Sequence, residues 1–427
     1  MNRLSLLVLV LAGCAGAPPE TLPGDAERYR PAPVVERAAE PPVEALTLER
    51  ALDLADRLHP DLAQAQARAD AADGRALQAG LFPNPSLIGR MESAPFEERT
   101  TRDADYLAGL SQRLPVGGRL GAAREVERLE AERLRKEREV KRFEVHSRAR
   151  GAFATALFAA EVAKVQAELV GFARRAVEVA RVRRQAGDVA AHDVARIEME
   201  EARARLDEDK AKGLRELALV GLAAALGDPG LRVRSVSGAL EAAFELPALE
   251  SVLADLEGGP QAALARADVE AARSRVDLAK VERVPDVTLD LLYRRIGASD
   301  TDAFDVGVSI PLPLFDRNQG RLKEARAESR QAEARARATR GDAARRVREA
   351  HVRLGEAVGH ARLVRDEILP RAETVRQAAE ARHEQGDLSL ADVLPIRRDY
   401  AAARLAHLDA LREVMDAWGE LRLFLRP

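Results

Sequence analysis

Two octapeptides carry the residue types most able to do chemistry. GDVAAHDV spans residues 187–194 and GDLSLADV spans residues 386–393, with Gly, Asp, Asp and Val at the same four offsets. The carboxylates are Asp188 and Asp193 in the first copy, Asp387 and Asp392 in the second. Such groups can draw in cations, or they can simply favour the positive end of a helix. Gly187 and Gly386 suit the left-handed turn that ends a helix. Ser389-Leu390-Ala391-Asp392 has the spacing of a capping box, with Ser389 as N-cap. In the first copy Ala190 stands where Ser389 would be, yet Asp193 is kept. That favours a role for the carboxylate beyond capping, with local helix chemistry as the alternative reading.

The rest of the chain offers little reactive chemistry. The seven histidines, at 59, 146, 192, 351, 360, 383 and 407, are scattered, with no HxxH spacing and no Cys or Met cluster beside them. A dedicated metal site is therefore not expected, even though His192 and His383 flank the turns of the two octapeptides. No phosphate-binding loop, nucleophile elbow or Ser/His/Asp arrangement stands out, and GDPG at 227–230 is a turn, so neither enzymatic activity nor a cofactor is expected. Basic and acidic residues are interleaved at a net charge of −3, which gives no nucleic-acid footprint.

Composition then indicates what must position the octapeptides. The 427 residues are 32% charged and only 4% aromatic. That balance favours long packed helices over an aromatic core. From residue 46 the chain falls into two copies, 46–247 and 248–427. ARAD at 67–70 returns at 265–268, and LSQRLPVGGRLGAAR at 110–124 returns as VSIPLPLFDRNQGRLKEAR at 308–326. Each copy predicts a helical run (48–81; 260–283), a Pro-marked break, and two strands. A very long helix follows (about 118–186; about 318–385), then the Gly-Asp turn and a closing helix (189–226; 389–425). Pro370 falls inside the second long run, where it removes a backbone hydrogen bond and predicts a kink.

The strands are expected at about 85–94, 105–115, 286–295 and 303–313. DVTLDLLYRR sets Val287, Leu289, Leu291 and Tyr293 against Asp286, Thr288, Asp290 and Arg294. AFDVGVSIPL sets Phe304, Val306, Val308 and Ile310 against Asp305, Gly307 and Ser309. DYLAGLSQRL sets Tyr106, Ala108, Leu110 and Leu114 against Asp105, Gly109, Ser111 and Arg113, while PSLIGRMES alternates poorly. Strands of about ten residues with one apolar face match transmembrane β-strands; two soluble hairpins packed on helices are the alternative. On the polar face Asp286, Asp290 and Asp305 would line a pore, with Arg90, Arg113 and Arg294 diluting their charge. Four strands cannot close a membrane barrel and an open edge is untenable in lipid. Three copies related by cyclic symmetry would supply twelve strands.

The start, MNRLSLLVLVLAGC, resembles a bacterial lipoprotein signal. The resemblance implies a signal peptide at 1–13, cleavage before Cys14, lipid on that residue, and an outer-membrane destination because Ala15 follows. An ordinary signal peptide cut after 15–17 is the alternative. The apolar run is too short to span a bilayer as a helix. Residues 14–45, rich in Pro, Ala and charge, form an extended leader.

LTLERALDLADRLHPDLAQAQA, GLFPNPSL, VSIPLPLFDRNQGRL and HEQGDLSLADVL are similar to the TolC-type outer membrane efflux family over residues 46–426. The lipoprotein signal and PLPLFDRNQG point to its heavy-metal branch. The resemblance implies a mainly α fold with a small β part. Long helical hairpins would form an α-barrel, and four transmembrane strands per chain would close as a twelve-stranded barrel only in a homotrimer. It implies the exit duct of a tripartite pump in the outer membrane lipid of a Gram-negative cell, joined by a periplasmic adaptor to an inner-membrane resistance-nodulation-division transporter. The cargo implied is a divalent cation such as cobalt, zinc, cadmium or copper, with drugs or other small organic compounds as the alternative. A non-pore periplasmic coiled-coil scaffold is the alternative of another class. By the same resemblance, Gly187, Asp188, Gly386, Asp387, Leu388 and Ser389 form the adaptor-docking tips. Asp193 and Asp392 match the position whose carboxylates face a closed periplasmic aperture. The family often has a second acid three residues on, where this chain has Pro395.

Overall fold

The structure is a computed structural model; it describes residues 44–93, 104–240 and 245–422. The signal peptide, Cys14 and the leader up to residue 43 lie outside the described residues.

The first helical run is two helices, α1 (Leu48–Leu58) and α2 (Pro60–Ala79), rather than one. The cause is local. Pro60 disfavours the helical region for the residue before it. His59 accordingly sits at φ −71° and ψ 118°. The His59 ring then caps the second helix, its Nδ1 accepting the Asp61 amide at 3.2 Å. Burial holds the His59 pKa below its ordinary value, so the ring is kept neutral and able to accept. This histidine is a helix cap.

Strands β1 (Ser86–Glu92) and β2 (Asp105–Leu114) follow, then α3 (Arg119–Gln185) and α4 (Ala191–Ala225). The second copy adds a short α5 (Leu249–Asp255), then α6 (Pro260–Val281), β3 (Val287–Ile296) and β4 (Thr301–Ser309). Helices α7 (Gln319–Leu363), α8 (Leu369–Glu384) and α9 (Leu390–Arg422) complete it. The strands differ from expectation by a few residues at their ends; β4 starts slightly earlier than expected and stops at Ser309. Two prolines, Pro311 and Pro313, explain the early stop, because neither can donate to a ladder.

Helix α3 is 67 residues long. At the helical rise per residue that is roughly 100 Å of unbroken rod. The second long run is not continuous. A π-helical turn, Val364–Ile368, separates α7 from α8 just before Pro370. The proline ring would strike the carbonyl of Asp366, four residues back, and its missing amide would leave that carbonyl unpaired. Inserting one residue into the turn relieves both defects, and a π-bulge is the form the expected kink takes.

Helix α3 ties the molecule together. Its N-terminal half packs on α2 and α6, with α7 beyond α6; its C-terminal half packs on α4 and α9. Leu54, Val145, Phe153, Leu157, Leu222 and Leu226 make one core between α1, α3 and α4. Leu354, Val358, Val414 and Leu421 make the equivalent one between α7 and α9. Alanines are frequent in both, which lets helices approach closely along their length.

The four strands form one antiparallel sheet in the order β1-β2-β3-β4. The central pairing joins the two halves of the chain, with Tyr106 opposite Arg295 and Leu114 opposite Val287. Gly109 leaves no room for a side chain against β3: a Cβ there would stand 2.0 Å from the Leu291 carbonyl oxygen.

Candidate functional site: an outward apolar sheet and two paired tips

The sheet presents its apolar face away from the protein. Leu87, Leu110, Leu291 and Val306 lie side by side across all four strands, as do Gly89, Ala108, Tyr293 and Phe304 in the next row. Phe304 and Val306 are each 75% exposed, Val308 64% and Leu87 81%. The Tyr293 and Phe304 rings meet edge to face at 5.8 Å. An apolar patch spanning four strands marks contact with lipid or another apolar surface.

The opposite face carries the charged residues, and most of its carboxylates are held by arginines. Arg294 Nε donates to Asp305 Oδ2 at 2.8 Å and its Nη1 reaches Asp105 at 3.3 Å, with Glu92 at 3.7 Å, so one guanidinium bridges all four strands. Asp286 precedes β3 and accepts from Arg113 at 2.7 Å and Arg119 at 3.0 Å. It thereby fastens β2 and the start of α3 to β3. Arg294 thus serves three carboxylates, and Arg113 and Arg119 share one.

At the other end of the rods, both octapeptides fold into the same turn. Gly187 has φ +89°, and the amides of Gly187 and Asp188 donate to the carbonyls of Arg184 and Arg183 at 3.0 and 2.9 Å. Gly386 has φ +86°, and the amides of Gly386 and Asp387 donate to His383 and Arg382 at the same distances. This is the Schellman arrangement, which requires a residue free of Cβ strain at the left-handed position. The restart of the helix differs between the copies. Ala190 caps α4 with no side chain. Before α9, Ser389 Oγ accepts the Asp392 amide at 3.3 Å and donates its own proton to Asp392 Oδ2 at 2.6 Å. The reciprocal arm of the box thus ends on the hydroxyl. Asp193 instead lies 3.5 Å from the His192 ring. His383 Nδ1 donates to the Leu388 carbonyl at 2.8 Å, stapling the second turn.

The two tips are neighbours. Leu394 of α9 is buried with Val177 and Ala180 of α3 and with Val194 and Ile197 of α4, flanked by Leu390 and Val189. This core brings the first turns of α4 and α9, and with them Asp193 and Asp392, to one end of the molecule. Above it lies a network that the sequence pattern had not disclosed. Arg376 of α8 holds Glu373 and Glu380, each at 2.5 Å, and stacks 5.1 Å from the centre of the Tyr400 ring. Glu380 also pairs with Arg397, which lies 3.7 Å over the Phe172 ring of α3. The i, i+3, i+7 spacing of Glu373, Arg376 and Glu380 was legible in the chain. The partner on the next helix, Arg397, and the aromatic in the other copy were not.

Hydrogen bonds from Arg376, then from the Tyr400 hydroxyl, pull the Glu373 pKa from 4.5 down to about 2 against the opposing effect of desolvation. The folded value lies below the unfolded one, so the contribution is complete above about pH 4.5 and is lost as pH falls towards 2. Amide exchange in α8 is therefore expected to quicken through that window in the wild type and to lose this pH dependence in Glu373→Gln. An unchanged profile in the variant would remove the carboxylate from the account.

Among the described residues no group of three or more His, Cys, Asp or Glu side chains could hold a metal ion. No described helix is long and apolar enough to cross a membrane.

The family model described as "Outer membrane efflux protein" matches residues 51–228 and 256–425. The cobalt-zinc-cadmium resistance protein CzcC of Cupriavidus metallidurans is 29% identical over 389 residues, covering 90% of each chain. The nickel-cobalt-cadmium resistance protein NccC of Alcaligenes xylosoxydans is 25% identical over 321 residues, 73% of this chain and 70% of that one. Among solved structures, the fold is similar to that of CusC, described for transmembrane channel formation, with a TM-score of 0.69 at 18% identity over 89% of this chain and 92% of that one.

Proposed function

From the premise that this chain belongs to the outer membrane efflux protein family, we propose that it is the outer-membrane exit duct of a tripartite pump for divalent metal cations. The observation that carries the duct is the sheet, with one apolar face turned outward, one charged face turned in, and free edges at β1 and β4. An open edge cannot stay unpaired in hydrocarbon. Three copies joined β4 to β1 give a closed barrel of twelve strands, and the rods continue it as a helical tube. The metal cargo is supported by the relatives' resistance to cobalt, zinc, cadmium and nickel. In this reading the partners, an inner-membrane resistance-nodulation-division transporter and a periplasmic adaptor, select the ion. Lipid on Cys14 would hold the leader to the outer membrane.

In this reading Gly187, Asp188, Gly386, Asp387, Leu388 and Ser389 are the surfaces the adaptor meets. Asp193 and Asp392 would set six carboxylates around the aperture of a trimer.

Deletion of the gene tests the cargo: sensitivity to cobalt, zinc or cadmium with unchanged antibiotic tolerance is expected, and the reverse pattern would transfer the duct to organic compounds. The aperture has its own test. The double substitution Asp193→Asn and Asp392→Asn keeps side-chain size and the acceptor for Ser389 while removing charge. Because unit charges a few ångströms apart interact by about 1 kcal/mol even in water, cation-over-anion permeability in planar bilayers is expected to fall several-fold. An unchanged reversal potential in a salt gradient would leave these carboxylates as helix caps only.

A further inference from the structure

Where the sheet meets the helices, the apolar row of β4 does not stop with the strand. Phe304, Val306 and Val308 are continued by Ile310, Leu312 and Leu314, all exposed, and the row ends at Phe315, 91% exposed. Leu314 and Phe315 form one wall of a cavity of about 750 Å³ beside the first turns of α7, with Arg283 reaching it from the turn that follows α6. Its other walls carry Arg283, Arg317, Lys323, Arg326 and Arg330, with no carboxylate among the lining residues.

The rest of the surface makes that set unusual. Ion pairs cover the helices, yet none involves Arg283, Arg317, Lys323, Arg326 or Arg330 among the described residues. Lys323, Arg326 and Arg330 share one face of α7 within an arc of about 60°, and Glu324 is turned about 100° from Lys323. The acids nearby are committed elsewhere. Asp277 pairs with Lys280 at 2.7 Å, Glu333 with Arg273 at 2.8 Å, and Glu282 reaches Arg321 at 3.7 Å. Asp316 accepts the Asn318 amide at 2.9 Å.

We propose that this cavity is a binding site for an anionic phospholipid of the leaflet nearest the helices, its phosphate held by the five cations and its acyl chains lying along Leu312, Leu314 and Phe315. The proposal rests on the reading of the sheet as membrane-embedded. Charge complementarity and continuity with the apolar row select the occupant. A headgroup is anionic and its chains are apolar, in the order in which this surface changes from apolar to cationic. Guanidinium groups also suit phosphate by paired hydrogen bonds.

The test is native mass spectrometry of the detergent-purified oligomer after exposure to phosphatidylglycerol or phosphatidylcholine. The wild type is expected to retain phosphatidylglycerol and to shed phosphatidylcholine. Lys323→Gln, Arg326→Gln and Arg330→Gln together should weaken that retention by on the order of a hundred-fold, at roughly five-fold per lost cation. Arg326→Lys with Arg330→Lys should preserve it. Phe315→Ser should lower retention with the charge intact, which separates a lipid from free phosphate. Equal retention of both lipids, or full retention by the triple variant, would overturn the site. So would dissociation of the triple variant into single chains, which would assign the cations to a neighbouring copy. Failure of the membrane reading is a separate result: wild-type protein that forms no conductance in bilayers.

Discussion

Replacing Val306 and Val308 together with Asp is expected to abolish outer-membrane assembly while leaving the helical part folded. Both side chains stand on the outward face of β4, 75% and 64% exposed, and neither packs on the rods. In water such substitutions cost almost nothing. In a bilayer a charge on the lipid face costs up to about 2–4 kcal/mol near the midplane for the costliest residues and less for Asp. In the proposed trimer two per chain become six, so the penalty would multiply across the barrel. Heat-resistant oligomer on gels and bilayer conductance would both disappear, whereas the far-ultraviolet helical signal would persist. A non-pore scaffold would assemble normally with both substitutions, and that outcome would sink the channel.

Gly109→Ala should be nearly as damaging, for a different reason. A methyl group at this position would sit 2.0 Å from the Leu291 carbonyl oxygen and 2.7 Å from the Leu292 Cα. Both are backbone atoms, so no rotamer change gives way and the strands must separate. The β2–β3 ladder is the only pairing in the described sheet that joins the two copies. Its loss turns one sheet into two isolated hairpins, each marginal by itself. The oligomer is expected to fail, with little change in helical content. Gly89 makes a useful comparison, since nothing lies within 4 Å of a Cβ there; Gly89→Ala should assemble normally. Equal behaviour of the two variants would show that the close approach has no consequence.

Much of this architecture was legible in the sequence because the relevant signals are local. The period-two alternation of Phe304, Val306 and Val308 is a property of a few adjacent residues, and so is the Gly that ends each long helix. The capping box was also visible, although its acid arm closes on the Ser389 hydroxyl. What stayed hidden depends on partners far along the chain. His59 could not be recognised as a cap until Pro60 was seen to split the first helical run. The π-turn at Val364–Ile368 is the response of a whole helix to Pro370, and the sequence shows only the proline. Arg397 resembles any exposed basic residue until Phe172, in the other copy, appears beneath it. On the sheet's polar face the sequence showed carboxylates diluted by Arg90, Arg113 and Arg294, but not that Arg294 bridges Asp305, Asp105 and Glu92 while Arg113 holds Asp286.

The register of β2 on β3 has a consequence in time. Tyr106 pairs with Arg295, a residue of the second copy. At a synthesis rate of about 5–20 residues per second, β3 follows β2 by on the order of ten to forty seconds. Until then Leu110 has no Leu291 beside it, and Leu87, Leu110 and Met91, exposed even in the folded chain, have only each other. Such late pairing is slow and leaves sticky intermediates exposed. The apolar face of the first hairpin therefore waits for its third strand until the second half of the protein has been made.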